Sequence, residues 1–394
     1  MAEASSKPTI LIVYNHYQLP GGEDFVVENE KRLLEEHGHR VFLYTRTNKL
    51  SPFRKALLPL TMFFNLRTWF DIRKLLRENH IDIVHVHNIA HVISPSVFYA
   101  AKSLGVPVIQ MIHNYRMICP GGTLYRNGKI CESCKDGNFK PALKYRCYRG
   151  SWLQTLAVVL SMKLHRAAGI YRSLHYIALS QFGKEQLLRF EQIRPQQVYI
   201  KPNFTFSMPV LNGAPEKAET YYLFAGRLDE MKGIRLVTEA FKKMPEKKLK
   251  IAGNGPLMDE IRSRIHAEKL ENIELLGWMS KEKLKFLMDS AAALIVCPQW
   301  YETFCLTIIE AFSEHLPVIG GRIGNVKNLI KDKVNGLLFQ YDSVQGLIDA
   351  VNEFERCDRE KMAENAYQTW LRDYSPDVNY RKLEEIYEAI GNRQ

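Results

Sequence analysis

The sequence predicts an α/β protein with two doubly wound, Rossmann-like domains that face each other across a cleft. Three observations support this fold class. The chain of 394 residues is longer than a single hydrophobic core usually supports. Short apolar runs alternate with helical patterns, which is typical of parallel α/β sheets. The alternation stops near residue 203 and then starts again, and this break marks the boundary between the domains.

The order of elements follows from the apolar runs. In residues 1–202, the first domain, they predict strands at 9–15, 41–45, 81–88, 106–114 and 175–180. In residues 203–374, the second domain, they predict strands at 221–228, 249–255, 272–277, 293–299 and 317–322. Residues 375–394 read as a final helix with Ser375 as its N-cap, and we expect it to cross back to the first domain. Because ligands of open α/β sheets bind at the carboxyl ends of the strands, site residues are expected in the loops that follow them.

Basic charge is concentrated in the first half of the chain. Residues 1–200 carry 27 Lys and Arg against 14 Asp and Glu, whereas the remainder carries 27 against 29. Such a surface attracts polyanions or anionic lipids. No helix-turn-helix, RNP or basic-zipper pattern accompanies the charge, so nucleic acid is not an expected partner. An anionic membrane surface is the expected one.

Two segments, 53–76 and 151–172, join aromatic and aliphatic residues to basic flanks, as interfacial helices do. The alternative is that both are ordinary amphipathic helices packed on a core. The first residues lack an apolar signal segment, and the chain has no apolar run of about 18 residues. We therefore expect a cytoplasmic protein that is peripheral on the inner face of the membrane.

Two glycines, Gly21 and Gly22, follow the first strand and precede a helical pattern. Glycine at such a place lets a ligand approach the backbone, and the start of a helix favours an anion. The doublet lacks the spacing of a dinucleotide-binding fingerprint, and a plain turn is the alternative.

Two cations, Arg227 and Lys232, lie in the corresponding loop of the second domain. Arginine offers a rigid fork of donors and lysine a mobile point charge, so the two can neutralise a diphosphate without a metal ion. The alternative is a solvated loop in which they pair with Asp229 or Glu230.

Two acids, Glu302 and Glu310, lie in the run YETFCLTIIEAFSEHLPVIG, where a helix is expected to begin. At the helical rise per residue they are about 12 Å apart, which is the scale that separates the ribose from the sugar ring of a nucleotide sugar. The alternative is that Glu302 caps the helix and Glu310 is a solvated surface acid.

The motifs GRLDEMKG, IAGNGP, LLGWMS, the Glu302 to Glu310 run, LPVIGG and NGLLF follow one another across residues 220–340. In order and strand context they resemble the carboxyl-terminal domain of the retaining GT-B glycosyltransferases of family 4, the group 1 transferases. The glycine loop and His113 extend the resemblance to the amino-terminal domain. It implies a GT-B fold in which the first domain binds the acceptor and the second binds a nucleotide diphosphate sugar as donor.

The resemblance also implies a role for each matching residue. Arg227 and Lys232 would bind the donor diphosphate and Glu310 the ribose hydroxyls. Glu302 would face the donor sugar and His113 would lie near sugar and acceptor, both as catalytic residues. The remaining donor-binding positions are Gly21, Gly22, Gly253, Trp278, Thr303, Phe304 and Cys305.

One departure from the family concerns the residues after Glu302. Related sequences commonly read Glu-Gly-Phe-Gly, whereas this chain has Glu302, Thr303, Phe304 and Cys305. Residues with a Cβ replace both glycines and restrict close backbone approach, which indicates an altered donor preference. The indole of Trp278 could equally be core or a stacking surface.

Three further histidines, His85, His87 and His91, lie at the end of the strand at 81–88 and could line the acceptor groove. Their spacing is a weak metal-binding pattern because a third ligand is missing.

Four cysteines lie in a basic insertion, residues 114–150, with the spacing C-x11-C-x2-C-x12-C. Four thiolates suit a tetrahedral structural zinc, and a cytoplasmic location disfavours disulfides. Unligated thiols and a redox or cluster role are the alternatives. A similar insertion occurs in a bacterial polysaccharide-assembly subgroup of the same transferases. The expected zinc ligands are Cys119, Cys131, Cys134 and Cys147.

The function implied is transfer of a sugar from a nucleotide diphosphate sugar to a hydroxyl of a glycan or lipid-linked sugar, with retention, in cell-surface polysaccharide biosynthesis. No catalytic metal is expected, because Arg227 and Lys232 supply the positive charge. Two alternatives are a GT-B nucleotide-sugar epimerase and a non-catalytic sugar-nucleotide-binding subunit. The basic aromatic helices argue against the first, and the intact set of candidate residues argues against the second.

Overall fold

The computed structural model describes residues 7–16, 21–49, 51, 61–90, 92–207 and 220–391. The chain forms two compact units. The first comprises Met1–Leu124, Glu132–Asn203 and Asn379–Gln394, and the second comprises Tyr125–Cys131 and Phe204–Val378. The predictions that concern residues 53–60 and His91 lie outside the described residues.

The first unit contains a six-stranded parallel sheet with the order β2-β1-β3-β4-β7-β8. Strand β1 is fully buried from Ile10 to Tyr14, because a parallel sheet is covered on both faces. The order reverses between β1 and β3, which is the kind of position at which open α/β sheets bind their ligands. The strands are β1 (Ile10–His16), β2 (Val41–Thr47), β3 (Ile83–Val86), β4 (Val108–Ile112), β7 (His175–Ala178) and β8 (Val198–Ile200).

Helices cover this sheet, and several begin at a side-chain cap. Asn65, Ser151 and Ser180 each accept a hydrogen bond from a backbone N–H three residues later, which satisfies a donor at the helix start. The helices are α1 (Gly22–Glu36), α2 (Leu66–Glu78), α3 (Ser96–Lys102), α4 (Lys140–Lys144), α5 (Trp152–Ala167) and α6 (Gln181–Leu188).

The second unit contains a six-stranded parallel sheet with the order β11-β10-β9-β12-β13-β14. This is the strand order of the dinucleotide-binding fold, and it reverses between β9 and β12. Its strands are β9 (Tyr221–Ala225), β10 (Leu249–Ala252), β11 (Ile273–Gly277), β12 (Ala291–Val296), β13 (Val318–Gly321) and β14 (Gly336–Phe339). A short antiparallel hairpin, β5 (Tyr125–Arg126) with β6 (Lys129–Ile130), groups with this unit.

The helices of the second unit are α7 (Ile234–Lys242), α8 (Met258–Ala267), α9 (Lys281–Ser290), α10 (Leu306–Ser313), α11 (Val326–Leu329), α12 (Val344–Phe354) and α13 (Arg359–Asp373). Apolar side chains of β9, β10, α7 and α12 pack together in its core. The last helix, α14 (Pro376–Gly391), begins in the second unit and groups with the first from Asn379 onward. Across the described ranges, no helix combines the length and apolar character needed to cross a membrane.

The predicted fold class is confirmed: both units are Rossmann-like α/β structures with parallel sheets. Each of the ten predicted strands is present. The sequence prediction missed β8, β14 and the β5–β6 hairpin, which have only two to four residues each. Several predicted strands ran past their observed carboxyl ends into polar or glycine-containing loops, such as residues 87–88 after β3 and 253–255 after β10.

Candidate active site

The reversal of strand order in the second unit brings together two charged residues that are 70 positions apart. Lys232 ends a short 3-10 turn, Glu230–Lys232, that follows β9, and Glu302 lies in the loop that follows β12. The Nζ of Lys232 donates a hydrogen bond of 2.7 Å to Oε1 of Glu302. The pair therefore lies at the topological switch point of the sheet, where open α/β sheets bind their ligands.

The β9 loop holds Lys232 by a local turn. The side chain of Asp229 accepts a 3.0 Å hydrogen bond from the backbone N–H of Lys232 and also pairs with the guanidinium of Arg227. Gly233 follows with φ of 73°, and a Cβ there would lie 2.0 Å from the carbonyl oxygen of Cys297. Glycine is thus required so that the β9 and β12 loops can touch, which brings Lys232 to Glu302.

The environment keeps Lys232 charged. Burial by itself would lower the pKa of Lys232, but Glu302, Cys305 and Asp229 together outweigh burial, and the net pKa is raised. Glu302 is only 5% exposed, whereas the side chain of Lys232 is 31% exposed and accessible to a ligand. Arg227 is more exposed still, at 60% of its side chain. The site thus offers two cations at one sheet edge, each held by one acid.

The ion pair between Arg227 and Asp229 that the alternative predicted is therefore observed, whereas the side chain of Lys232 pairs with Glu302. The other acid of that alternative, Glu230, binds Arg235 instead. The alternative in which Glu302 caps the helix is wrong, because α10 begins at Leu306 with Cys305 as its N-cap and without a side-chain cap bond.

Glu310 lies on α10 and is partly buried, so the alternative of a solvated surface acid is also wrong. Burial raises the pKa of its carboxyl, and Lys281 opposes that rise. Between the two acids, Thr303 is partly buried and its carbonyl accepts a long hydrogen bond of 3.4 Å from Asn325. The ring of Phe304 packs edge-on against Tyr374.

Cys305 is buried beside Lys232 and Glu302. Burial raises the pKa of its thiol to about 12, and its Sγ lies 3.3 Å from the hydroxyl of Thr307. The thiol is therefore protonated and unreactive as a nucleophile. Lys232, Glu302 and Cys305 line a small cavity. Phe224, Ile295 and Val296 also line it.

Gly253 is required by the packing of neighbouring loops. Its φ is 152°, and a Cβ would lie 1.8 Å from the carbonyl oxygen of Gly226 in the loop after β9. Its backbone N–H donates to the carbonyl of Gly277 at 2.7 Å, so three consecutive loops are tied together at this sheet edge. Trp278, directly after β11, is 74% exposed and is therefore not part of the core.

In the first unit, Gly21 is the N-cap of α1, and Gly22 is its first residue. The backbone N–H of Gly21 donates a hydrogen bond of 2.8 Å to the carboxylate of Asp24. The other oxygen of that carboxylate lies 2.9 Å from Nδ1 of His16. Gly21 has extended backbone, with φ of −142°, and no atom of the described residues lies within 4 Å of a Cβ built there. Within the described part of the chain, nothing demands glycine at this position.

His113 directly follows β4 and is partly exposed. Its Nε2 lies 3.0 Å from Nδ1 of His87. Burial lowers the pKa of His113 well below its ordinary value, so the imidazole is neutral near pH 7. The ring can therefore donate one hydrogen bond and accept another.

The expectation that His85 and His87 line a groove is wrong. Both are fully buried, because residues two apart on a strand face the same way, and this face of β3 meets α1. Their neighbour on α1 is Glu30, which is also fully buried. Glu30 is a third possible metal ligand beside His85 and His87, and the sequence pattern did not reveal it.

The four cysteines are divided between the units. Cys119, Cys134 and Cys147 belong to the first, and Cys131 ends the segment that groups with the second. Cys134 is buried with Phe139 and Val159, and Cys147 packs against the same cluster. A Cβ added at Gly121 would lie 3.8 Å from Sγ of Cys119 and 3.7 Å from Cβ of Cys147, so these two cysteines flank one glycine.

Sequence reasoning missed three residues that organise the sites. Asp229 stands three positions before Lys232, which is the spacing of a side-chain cap and could have been noticed. Glu30 interrupts the apolar face that Val26, Val27, Leu33 and Leu34 form on α1, and an acid at such a position is a signal of burial. Gln299 bridges two loops through the carbonyl of Tyr341 at 2.8 Å, and no sequence pattern marks it.

Family models match both parts of this chain. The model described as Glycosyltransferase Family 4 matches residues 20–205, and the model described as Glycosyl transferases group 1 matches residues 212–369. The chain is a group 1 glycosyltransferase. The family resemblance that the order of motifs suggested is therefore confirmed, and glycosyl transfer is the activity of the family.

Known relatives of this glycosyltransferase act on different substrates. The alpha-D-kanosaminyltransferase of Streptomyces kanamyceticus is 28% identical over 334 residues, 81% of this chain and 80% of the relative. The Escherichia coli UDP-Gal:alpha-D-GlcNAc-diphosphoundecaprenol alpha-1,3-galactosyltransferase is 23% identical over 74% of this chain and 71% of the relative. The structure of Anabaena HepE in complex with UDP-glucose matches 97% of this chain and 100% of that one, with a TM-score of 0.67 and 16% identity. That likeness concerns the fold, which is GT-B.

Proposed function

We propose that this glycosyltransferase moves a sugar from a nucleoside diphosphate sugar to a hydroxyl of a lipid-linked glycan, with retention of the anomeric configuration, in cell-surface polysaccharide biosynthesis. The observation that carries the proposal is the Lys232–Glu302 pair at the switch point of the second unit. A relative that acts on a diphosphoundecaprenol-linked sugar and a GT-B neighbour crystallised with UDP-glucose support both the donor and the acceptor class.

The donor diphosphate would be bound by Lys232 and Arg227. Each of these cations is paired with an acid, Lys232 with Glu302 and Arg227 with Asp229. A diphosphate brings its own negative charge and can share both cations, whereas a neutral sugar cannot. Glu310, on helix α10, would accept hydrogen bonds from the ribose hydroxyls. The donor site would be completed by Gly253, Trp278, Thr303, Phe304 and Cys305.

Retention would follow a front-face path. As the sugar leaves, charge grows on the donor phosphate, and the nearby cations stabilise it. The leaving phosphate oxygen then takes the proton of the acceptor hydroxyl, and that hydroxyl oxygen bonds to the anomeric carbon on the face the phosphate departs from. Glu302, held by Lys232, would stabilise positive charge on the sugar ring and would not act as a nucleophile. His113 would bind a hydroxyl of the sugar or of the acceptor, and Gly21 and Gly22 would let the donor approach the backbone closely.

The acceptor would be reached at the membrane surface, on its cytoplasmic face. Helix α5 exposes Leu153, Leu160 and Leu164, which share one side because they are spaced by seven and four residues, and Leu153 is 72% exposed. Helix α2 exposes Leu66 and Phe70 and also carries three arginines and one lysine. Apolar side chains with basic flanks bind an anionic lipid surface through both burial and charge.

The insertion would hold a structural zinc ion through Cys119, Cys131, Cys134 and Cys147. The buried position of Cys134 and the placing of Cys119 and Cys147 beside one glycine support a compact cysteine-rich element. Four thiolates would supply a closed tetrahedral site. The zinc would stabilise the insertion and take no part in transfer.

The test is a donor screen followed by product analysis. Purified protein is titrated with UDP-, GDP- and ADP-sugars, and the donor that binds is incubated with a synthetic undecaprenyl diphosphate sugar in anionic vesicles. We expect transfer to the lipid-linked sugar and an anomeric proton coupling that shows retention. Conversion of the donor sugar into its epimer without an acceptor would instead indicate an epimerase, and binding without turnover of any kind would indicate a non-catalytic subunit.

A further inference from the structure

A buried cluster of charged and imidazole groups lies next to His113 in the first unit. At its centre is the carboxylate of Glu30, which is fully buried. Nζ of Lys201 lies 3.3 Å from Oε1 of Glu30, and Nε2 of His87 lies 3.6 Å from Oε2. Nδ1 of His85 lies 3.8 Å from Oε1. Burial of so many polar groups costs stability unless they are matched to one another, so the cluster needs an explanation.

The activity described above uses none of these side chains. Both oxygens of Glu30, Nζ of Lys201 and Nε2 of each histidine are buried, and no described residue gives them a hydrogen bond of good geometry. Nδ1 of His85 is hydrogen-bonded to the hydroxyl of Tyr387 at 2.7 Å, whereas Nε2 of His87 faces the carboxylate of Glu30, so charge decides whether that nitrogen carries a proton. The charge of Glu30 therefore determines which ring nitrogen of His87 carries the proton.

A metal ion is one conceivable occupant. Glu30, His85 and His87 bring ligand atoms within 4.8 Å of one another, and two histidines with one glutamate are a donor set that zinc uses. However, the ammonium of Lys201 already supplies the positive partner of Glu30. A divalent ion would add two positive charges beside that ammonium in a dry interior, which is electrostatically unfavourable. The cluster therefore fits an ion pair with neutral imidazoles better than a metal site.

The charge state of each group follows from its surroundings. Burial alone would raise the pKa of Glu30, but Lys201 and the two imidazoles lower it to about 2, so Glu30 is a carboxylate near neutral pH. Burial lowers the pKa of His87 to about 3, and that ring is neutral. A neutral imidazole carries its proton on one nitrogen and a lone pair on the other.

We propose that Glu30 acts through His87 as a positioning residue that fixes the tautomer of His113. The carboxylate repels a lone pair on the facing Nε2 of His87 and therefore draws the ring proton to that nitrogen. Nδ1 of His87 then holds the lone pair, so it must accept the 3.0 Å hydrogen bond from the Nε2–H of His113. The lone pair of His113 is left on Nδ1, and any further hydrogen bond of this ring is accepted there.

The tautomer decides which ligand group His113 can bind, and this step rests on the proposed function. An accepting nitrogen requires an O–H from its partner, whereas phosphate and carbonyl oxygens offer only lone pairs. We infer that His113 selects a sugar hydroxyl, and that Glu30, which touches no substrate, makes this selection possible. The opposite tautomer would present an N–H and would favour an oxygen without a proton.

The direct test is the tautomer of His113 in the intact, substrate-free protein. Long-range proton–nitrogen correlation spectra of histidine-labelled protein at pH 7 distinguish a protonated from an unprotonated ring nitrogen, and the His113→Asn variant assigns the resonance. We expect His113 to be protonated at Nε2 alone. Protonation at Nδ1 would overturn the proposal. Zinc on Nε2 of His87 would give that second result, because the proton of His87 would move to Nδ1 and donate to His113.

A pair of double variants tests the cause. Glu30→Leu with Lys201→Met removes both members of the buried ion pair without leaving an unpaired charge. We expect the Nδ1–H form of His113 to appear in it. The matched control, Glu35→Leu with Lys31→Met, alters an exposed pair on the same helix and should leave the tautomer unchanged. A folded buried-pair variant that keeps only the Nε2–H form would show that Glu30 does not set the tautomer.

A single variant keeps the test informative if the buried-pair variant does not fold. His87→Phe removes the acceptor for His113 and should also populate the Nδ1–H form, and an unchanged spectrum would overturn the proposal. All these measurements need neither donor nor acceptor. Failure of the proposed transfer reaction would therefore leave the tautomer result standing, and the reverse holds as well.

Discussion

The buried histidines make a quantitative prediction about acid stability. Burial lowers the pKa of His85 to about 4 and that of His87 to about 3, whereas the ordinary pKa of a histidine, as in the unfolded chain, is 6.5. When the pH falls below 6.5, His85 and His87 bind protons in the unfolded chain but stay neutral in the folded unit, where their pKa values are lower. Mass action then favours unfolding. The first unit should therefore lose stability between about pH 6.5 and 4, well before its carboxylates titrate.

The magnitude follows from proton linkage. Lowering the pH from 7 to 5 protonates an unfolded histidine almost completely, which favours the unfolded state by about 2 kcal/mol for each site. The two buried rings together contribute about 4 kcal/mol, and His113 adds to the loss in the same direction. Glu30 contributes only at lower pH, since its stabilising effect is lost as the pH falls from about 4.5 toward 2. Tyr387, which bonds to His85, stays neutral throughout because burial raises its pKa.

Hydrogen exchange with mass spectrometry measures the effect for each unit separately. After correction for the intrinsic pH dependence of exchange, protection in β3 should fall about a thousandfold between pH 7 and 5. Strand β12 is the internal control, because the two histidines of the second unit, His266 and His315, are exposed. Burial raises the pKa of Glu310, which acts in the opposite direction in that unit. Equal losses of protection in β3 and β12 would refute the reasoning.

Four further predictions concern the proposed sites. Lys232→Ala should weaken donor binding about 10- to 100-fold, because hydrogen bonds to charged groups contribute about 1.5–3 kcal/mol. The control is Lys285→Ala, which breaks the buried Lys285–Glu314 pair elsewhere in the unit and should leave donor affinity unchanged. Glu302→Gln should reduce kcat at least about 100-fold while donor binding remains measurable, and normal turnover would remove Glu302 from catalysis. Metal analysis should find about one zinc ion per chain, lost in Cys134→Ser and kept in Cys357→Ser, and a folded, metal-free wild-type protein would exclude the zinc site. Leu153→Glu with Leu164→Glu should weaken binding to anionic vesicles at least about tenfold, whereas Leu371→Glu, at an exposed position of the second unit, should not; equal effects would show that α5 is not the contact.

The sequence predicted the architecture well because the signals for it are local. Apolar runs of four to seven residues identify buried parallel strands, and the helical patterns between them impose the parallel arrangement. The positions of Lys232 and Glu302 after strands also follow from the chain itself. The short strands β8 and β14 escaped because runs of three or four residues do not differ from apolar loops.

The errors have a different physical origin. Glu302 was expected at a helix start, but the helix begins four residues later, since the loop first crosses to meet the β9 loop. His85 and His87 were expected beside a groove, because their alternation on the strand does not say which face is covered. Helix α1 covers that face and brings Glu30 to it.

The sequence by itself determined the two α/β units, the strand ends at which charged and imidazole residues stand, and the family. Only the tertiary structure decided which of those residues meet. Lys232 reaches Glu302 because the strand order reverses between β9 and β12, and Glu30 reaches His87 because α1 packs on β3. Periodicity is a property of neighbouring residues, whereas these contacts depend on how distant strands and helices are ordered. The charge, the proton and the ligand that each site can hold are set by those contacts.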